Sequence, residues 1–383
     1  MKREKVIYAD NAATTKLNKK AYEAMRAYLL EEYGNPSQPY SFARKSKLAL
    51  NQARATIAKC INAEPNEIYF TSGGTESDNW AIKGSAFAFG DKKTIITSVF
   101  EHHAILRSCE FVEQLGYPIK YLSVNGSGEV DPESLKNIIT NSTGLVSVML
   151  ANNEVGTIQK IKTLADIAHS HGTIFHTDAV QALGHIPVDV KELGIDLLSA
   201  SAHKFGGPKG VGFLYIKNGT KIVPYFNGGS QESSKRAGTE NVASILGMAT
   251  ALEESVNNII CLQSLYAEEE YFISKLKQAG FVEYKDFIWN GNHERDKHLP
   301  GLINISLKNK DGEALMHRLD LKGIIISTGA ACDSINTQVS HVIKAIGVPL
   351  DFANGTIRIS LGIGTNRAEV RAITDALIEI LMK

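Results

Sequence analysis

A lysine follows an apolar stretch near the middle of the chain. The stretch from Ile195 to Leu198 predicts a buried strand, and Ser199-Ala200-Ser201-Ala202-His203-Lys204 follows it, before a glycine-rich turn. Desolvation lowers the pKa of a lysine and leaves a nucleophilic amine, which suits a Schiff base with a carbonyl group. Most lysines at strand ends are ordinary surface residues, so this interpretation of Lys204 depends on the rest of the chain.

A carboxylate follows the predicted strand that precedes the strand of Lys204 in the sequence. Residues 173–177 are mostly β-branched or aromatic, Asp178 follows them, and Gln181 comes three residues later. This composition is typical of a short strand, and it places Asp178 at the carboxyl edge of the predicted sheet. An acid and an amine therefore follow two predicted strands of one sheet.

A glycine-rich turn lies where another strand becomes a helix. Ser72-Gly73-Gly74-Thr75-Glu76 follows the predicted strand 67–70. Backbone N–H groups at a helix start bind phosphate, and glycine lets the backbone approach it closely. The turn lacks the Gly-Lys-Ser/Thr ending of a P-loop. A second glycine-rich segment, 206–212, is not followed by a predicted helix, so we interpret it as the turn that holds Lys204.

Histidines and asparagines follow other predicted strands. His102 and His103 open a helix, where adjacent side chains diverge, which disfavours a metal chelate. A single histidine in such a place is more often a helix cap or a core residue than a catalytic one. Asn152 and Asn153 follow the apolar strand 145–150, where buried amides need hydrogen-bond partners.

The four cysteines differ in their surroundings. Cys60, Cys109 and Cys261 lie among apolar residues at helical spacing and are predicted to be small core residues. Cys332 instead follows the small residues Gly329-Ala330-Ala331, without apolar periodicity. This context predicts an accessible loop, where a reactive thiol is expected.

Strands and helices alternate through the first two thirds of the chain, which predicts an α/β fold with a mostly parallel sheet between helices. The strand at 210–216 comes too soon after Lys204 for a helical crossover and is predicted to run antiparallel. Residues 239–278 are mostly helical, and a smaller α/β unit follows them. We predict a large domain over 13–260, and a small domain from 1–12 and 261–383 that carries the Cys332 loop.

The overall composition limits the classes of function. The chain has 383 residues and a formal net charge of zero, which gives no electrostatic support for a nucleic-acid partner. Its four cysteines include no C-x-x-C pair, which fits a reducing compartment. We see no signal-type segment and no stretch long enough to span a membrane, so a cytoplasmic location and no membrane partner are expected.

Over nearly its whole length the chain resembles the cysteine desulfurases of the class V aminotransferase family. These are fold-type I enzymes that use pyridoxal 5′-phosphate (PLP), and the resemblance rests on the segments around Asp178 and Lys204 and on Tyr8-Ala9-Asp10-Asn11-Ala12-Ala13-Thr14-Thr15. It implies that Lys204 binds PLP covalently and that Asp178 pairs with the pyridine nitrogen. His102 would stack on the ring and move protons.

The resemblance also assigns roles to the remaining candidate residues. The residues near the PLP phosphate would be Gly74, Thr75, Ser201 and His203 from one subunit and Thr239 from its neighbour in a homodimer. Asn153 and Gln181 would lie near the phenolate oxygen, with Asn153 also at the substrate. Arg358 would bind the substrate carboxylate in a bidentate pair. Cys332 would supply the thiolate that removes sulfur, and no metal is implied.

The implied reaction converts L-cysteine to L-alanine and leaves a persulfide on Cys332 for a sulfur-acceptor or iron–sulfur scaffold protein. A selenocysteine lyase, a class V transaminase and an inactive scaffold of iron–sulfur assembly are the alternatives. The sequence departs from the family at Gln231-Glu232-Ser233-Ser234-Lys235, at Asp333 and at Ile363. These departures leave open the acceptor, the pathway and the paralogue group.

Overall fold

The computed structural model describes residues 6–328 and 339–383 of the chain. Its helices are α1 Lys19–Leu30, α2 Arg44–Cys60, α3 Gly74–Asn79, α4 Ser85–Ala88, α5 His103–Gln114, α6 Pro132–Ile138, α7 Ile161–Ser170, α8 Gln231–Ser234, α9 Val242–Asn257, α10 Ile259–Leu262, α11 Ser264–Gln278, α12 Gly312–Asp320, α13 His341–Ala345, α14 Leu350–Ala353 and α15 Arg367–Leu381. Its strands are β1 Ile7–Tyr8, β2 Ile68–Thr71, β3 Thr94–Ser98, β4 Ile119–Leu122, β5 Thr143–Ser147, β6 Ile174–Asp178, β7 Leu197–Ser201, β8 Gly212–Ile216, β9 Phe287–Trp289, β10 Leu302–Leu307, β11 Ile324–Ile325 and β12 Thr356–Ser360.

Seven strands form the larger sheet, in the order β2-β8-β7-β6-β5-β3-β4. The neighbouring pairs β7–β6, β6–β5, β5–β3 and β3–β4 are parallel, whereas β8 pairs antiparallel with both β7 and β2. The link between β7 and β8 is too short for a helical crossover, so antiparallel pairing follows. The predicted α/β fold, with a mostly parallel seven-stranded sheet and an antiparallel strand after Lys204, is confirmed.

Helices cover this sheet because its strands are apolar on both faces. Every residue of β5, β7 and β8 is buried, as expected for a sheet enclosed between two helical layers. In α7 the buried residues Ile161, Leu164, Ala165 and Ala168 recur at the three- and four-residue spacing of one helix face. Helix α7 packs against β5 and β6 of the sheet.

The rest of the chain forms a smaller unit. Its antiparallel sheet has the order β12-β10-β9, and β1 near the N-terminus pairs in parallel with β11. One core cluster draws Ala9 together with residues between Leu262 and Leu381. This grouping supports a small domain built from both ends of the chain, while the boundaries at residues 12 and 260 stay a prediction.

Some local features differ from the expectations. The sequence does not predict β1 or β9, because two or three residues are too few to show a periodicity. Cys109 is buried as predicted, but the core position predicted for Cys261 is wrong, because the four-residue α10 buries Leu262 and leaves Cys261 exposed. No helix within 6–328 and 339–383 is long and apolar enough to cross a membrane.

Candidate active site

A cavity of about 340 Å³ lies at the carboxyl ends of β6 and β7. Ten of the residues predicted for the site line it: Gly74, Thr75, His102, Asn153, Asp178, Gln181, Ser201, His203, Lys204 and Arg358. Two predicted residues are not placed there. Thr239 is exposed on the surface before α9, and Cys332 lies outside the described residues.

Lys204 ends a 3₁₀ turn that follows β7 directly. Its Nζ donates hydrogen bonds to the carbonyl oxygens of Ala12 (2.5 Å) and Ala13 (3.1 Å). The same N-terminal segment is fastened by Thr15, whose Oγ1 donates to the His203 carbonyl at 2.8 Å and accepts from the Gly206 N–H at 2.8 Å. The amine of Lys204 is therefore held at the cavity by two parts of the chain that are far apart in sequence.

Asp178 is the last residue of β6, is buried and lines the cavity. Its Oδ1 accepts a hydrogen bond of 2.8 Å from the Val180 N–H. Burial raises the pKa of Asp178, while the Val180 N–H and the charge of Lys204 lower it. A cation placed against this carboxylate would compensate for its burial.

His102 is the N-cap of α5, and its Nδ1 accepts a hydrogen bond of 3.1 Å from the Ala104 N–H. Burial, together with the nearby charges of Lys204, His103 and His341, lowers its pKa to about 4. The imidazole is thus neutral near pH 7, and because Nδ1 accepts from the backbone, its proton resides on Nε2. His102 both caps a helix and lines the cavity, so the two interpretations of this residue are compatible.

The glycine-rich turn Ser72–Glu76 lines the cavity through Gly74 and Thr75, where α3 begins. A second cavity of about 370 Å³ adjoins it and shares Gly74, Thr75, Ser201 and His203. A Cβ at Gly74 would lie 2.6 Å from Cγ2 of Val180, so this position requires glycine. The absence of a side chain at Gly74 leaves room for Val180 beside the start of α3.

An ion pair that the sequence does not reveal fixes this turn. Glu76 accepts hydrogen bonds from Arg236 Nε (2.8 Å) and from the Ser72 N–H (2.8 Å). Arg236 belongs to the segment that leads to Thr239, so this segment is attached directly to the glycine-rich turn. Asn241, and not Thr239, caps α9 through its side chain, which leaves Thr239 without that structural role.

Arg358 enters the cavity from β12 of the smaller sheet. Its Nη2 donates to Asp10 Oδ1 at 2.9 Å, and its Nη1 donates to the Asn153 carbonyl at 2.9 Å. Its buried Nε has no hydrogen-bond partner among the described residues. We call Asp10, Asn153 and Arg358 the arginine cluster. Its guanidinium is oriented by two contacts and keeps a donor for an anionic ligand.

A group of buried polar residues lies around and behind Asp178. Asp78 on α3 is 1% exposed and also lines the cavity. His176 donates to or accepts from Ser199 Oγ (3.0 Å) and Ser147 Oγ (2.8 Å). We call Asp78, Asp178, His176 and Ser199 the acid cluster. Sequence reasoning missed Asp78, since an acid next to Asn79 on a helix is usually solvated.

The side chains that line the cavity can be compared with what a metal ion and what PLP would require. Single ligand atoms of Asp78, His102 and Asp178 lie within 4.8 Å of one another, which would suit a metal ion by distance alone. The positive charge of Lys204 beside Asp178 disfavours a cation of that kind. PLP fits better, because Gln181 has a buried, unpartnered Oε1 among the described residues, and an acid, an amine and a glycine turn surround the same space.

Comparisons with known proteins agree with this arrangement. Residues 7–373 match the family described as Aminotransferase class-V. The chain is 50% identical over 385 residues to a cysteine desulfurase IscS of Dictyoglomus turgidum, covering 100% of this chain and 96% of the relative. It is 46% identical over 383 residues to a cysteine desulfurase IscS of Methanosarcina thermophila, covering 99% and 93%.

Solved structures give the same result. A structure described as a NifS-like protein superposes with a TM-score of 0.92 at 36% identity, covering 99% of this chain and all of the other. One described as SspA in complex with cysteine superposes with a TM-score of 0.80 at 33% identity, covering 93% and 98%. With these relatives and this fold, the chain belongs to the class V aminotransferase family.

Proposed function

We propose that this protein is a PLP-dependent cysteine desulfurase, which converts L-cysteine to L-alanine and retains the sulfur as a persulfide on Cys332. The observation that carries the proposal is the meeting of Lys204, Asp178 and Arg358 in one cavity. When bound, PLP supplies an electron sink that stabilises negative charge at the α-carbon of an amino acid. Lys204 would hold it covalently, Asp178 would pair with its ring nitrogen, and the turn at Gly74 would bind its phosphate.

The substrate carboxylate would bind at the arginine cluster. Arg358 is buried and pre-oriented by Asp10 and by the Asn153 carbonyl, so little side-chain freedom is lost when an anion binds. Its unpartnered Nε–H fits a carboxylate oxygen. This contact would bind L-cysteine in the cavity that Lys204 also lines.

Two side chains of the cavity would transfer protons in the reaction. Lys204 Nζ is the base that removes the α-proton, since it reaches the cavity from the end of β7. His102 retains its proton on Nε2 near pH 7, so it acts as a donor towards the substrate in the cavity. The N-terminal carbonyls of Ala12 and Ala13 orient the amine of Lys204.

The sulfur step is assigned to Cys332, which lies outside the described residues. Its thiolate attacks the sulfur of L-cysteine, and the carbon–sulfur bond breaks with its electron pair left on the β-carbon. The β-carbon takes up a proton to become the methyl group of L-alanine, and the sulfur stays on Cys332 as a persulfide. A thiol of an acceptor protein then takes this sulfur, and an iron–sulfur scaffold is one such acceptor. Burial raises the pKa of Cys60 to about 11 and also raises that of Cys109, so neither competes as a thiolate at neutral pH.

A homodimer is part of the proposal. Thr239 is exposed, and the segment that carries it is anchored by the Arg236–Glu76 pair beside the glycine-rich turn. An exposed hydroxyl at this place can reach the phosphate site of a second subunit. The cytoplasmic location stays a prediction from the sequence.

The purified protein can test this proposal directly. We expect visible absorption from bound PLP, and equimolar L-alanine and sulfide when L-cysteine and a thiol reductant are added. Assays with L-selenocysteine and with a keto-acid acceptor distinguish a selenocysteine lyase and a transaminase. Absence of bound PLP, or of alanine formation, would contradict the assignment and favour an inactive scaffold.

Cys332→Ala separates the two halves of the reaction. The variant should still bind PLP and L-cysteine, since Lys204, Asp178 and Arg358 are untouched, but it should form no persulfide. The matched control is Cys261→Ala, because Cys261 is exposed and lies on α10, away from the residues that line the cavity. Mass spectrometry that located the persulfide on Cys261 would refute the role of Cys332.

A further inference from the structure

Asp78 is a second carboxyl group in the cavity, and nothing in the proposed reaction uses it. It lies on α3, with a side chain that is 1% exposed, and it lines the cavity next to Asp178. One oxygen of each carboxyl and a ring nitrogen of His102 all lie within 4.8 Å of one another. A buried acid at this distance from the residue that would pair with the cofactor must affect its charge.

Two buried carboxyl groups this close do not both ionise easily, because the second charge is repelled by the first and neither is well solvated. The groups that face Asp78 are Asp178 and Glu101, which repel a negative charge, and His176 and His102, which burial keeps neutral. His176 Nε2 lies 3.9 Å from Asp78 Oδ1, beyond hydrogen-bonding distance. One proton therefore stays on the pair.

The surroundings decide which carboxyl keeps the proton. Asp178 accepts a hydrogen bond from the Val180 N–H and faces the charge of Lys204, and both stabilise its anion. Asp78 has a hydrogen bond with Ser199, while its Oδ1 has no partner among the described residues. The anion is better stabilised on Asp178, so the proton resides on Asp78.

We propose that Asp78 is a positioning residue that stays protonated beside Asp178, so that the pair carries a single negative charge and this charge resides on the carboxylate that faces the ring nitrogen of PLP. The inference rests on the proposed function and deepens it. An ionised Asp78 would instead draw the proton onto Asp178 and remove the anion from the cofactor. A neutral Asp78 therefore keeps the negative charge on Asp178.

Infrared difference spectroscopy tests the protonation state directly. The spectrum of the wild-type protein minus that of Asp78→Asn, both as purified at neutral pH, should show the carbonyl band of a protonated carboxylic acid, shifted in D₂O. Glu101→Gln is the control, because burial raises the pKa of Glu101 to about 8 and its band must be separated from that of Asp78. Carboxylate bands in the Asp78→Asn difference spectrum would overturn the proposal.

A second measurement tests the positioning role by comparing variants in their affinity for PLP and in the pH dependence of its absorption band. Asparagine imitates a protonated aspartic acid, whereas Asp178→Asn removes the anion itself. The loss of PLP affinity in Asp78→Asn should therefore be at least about tenfold smaller than the loss in Asp178→Asn. Asp78→Val, which cannot hydrogen-bond to Ser199, should be worse than Asp78→Asn. Equal losses in Asp78→Asn and Asp178→Asn would overturn the proposal.

The two proposals fail separately. A wild-type protein that binds no PLP refutes the proposed function, yet its infrared spectrum still reports whether Asp78 holds a proton. A protein that makes alanine from L-cysteine but shows Asp78 as a carboxylate keeps the function and refutes this inference.

Discussion

The acid cluster and the arginine cluster lie at the same cavity, and they are built in opposite ways. Three of the four residues of the acid cluster come from the neighbouring strands β6 and β7, and Asp78 comes from the helix that packs on them. The arginine cluster joins Asp10, Asn153 and Arg358, which belong to three distant parts of the chain. One cluster is fixed by sheet register, and the other depends on how the two units of the fold meet.

The charges of the two clusters differ accordingly. Burial lowers the pKa of His176 to about 3, so its imidazole is neutral near pH 7. Burial and the charge of Asp178 raise the pKa of Asp78. The buried guanidinium of Arg358 is instead paired with Asp10 at 2.9 Å. A buried side chain is therefore charged only where a partner or a ligand compensates for its lost hydration.

Loss of Lys204 should have the largest effect, since this amine is both the proposed covalent anchor of PLP and the proposed base. We expect Lys204→Ala to lower turnover by on the order of 10⁴-fold, while PLP still binds without a covalent link through the turn at Gly74. Turnover with L-cysteine and the visible spectrum measure the two effects. A Lys204→Ala enzyme with substantial activity would refute the assignment of the base.

Changes in the arginine cluster should affect substrate binding and leave the cofactor in place. Asp10→Ala removes a charged hydrogen bond that orients Arg358, so we expect KM for L-cysteine to rise roughly 10- to 100-fold. The affinity for PLP should change little, because Asp10 does not line the cavity wall at Asp178 or Gly74. A loss of PLP affinity as large as the rise in KM would show that the two clusters are not independent.

Gly74→Ala should weaken the binding of PLP by roughly tenfold, because the added Cβ would lie 2.6 Å from Val180 Cγ2 and the turn would have to shift. The double variant Gly74→Ala, Val180→Ala removes the obstructing methyl group and should recover most of the affinity. Val180→Ala alone is the control. If the double variant gained nothing, the requirement for glycine would come from the ligand and not from Val180.

Stability at acidic pH should depend on the protonation of His176. His176 has a folded pKa of about 3, against about 6.5 in the unfolded chain, so its stabilising contribution is present above pH 6.5 and is lost as the pH falls towards 3. At pH 5 this loss amounts to about 2 kcal/mol of unfolding free energy relative to pH 7. In urea unfolding, His176→Asn should show a correspondingly weaker pH dependence.

The control for this prediction is His317→Asn, because His317 is exposed on α12. Its stability difference between pH 7 and pH 5 should equal that of the wild type. If His176→Asn and His317→Asn behaved alike, the protonation of His176 would not contribute to acid sensitivity.

The sequence by itself determined the larger sheet and most of the cavity. The strands before Asp178 and Lys204 are apolar and β-branched over five residues or so, a signal strong enough to place both side chains at one edge of a parallel sheet. The glycine-rich turn at Gly74 and the histidine at the start of α5 were predictable for the same reason, since each follows a strand. Where function depends on local pattern, the amino-acid sequence is sufficient.

Only the tertiary structure decided the partners of those residues. Asp10 meets Arg358, Glu76 meets Arg236, and Asp78 lies beside Asp178, although nothing in their local sequences distinguishes them from solvated charges. Their ionisation states depend on burial and on neighbours that are brought together by the packing of α3 on the large sheet and by the contacts of Arg358 on β12 with Asp10 and Asn153. Periodicity reports which face of an element is buried, but it carries no information about which charge lies opposite, because that contact is made between distant parts of the chain.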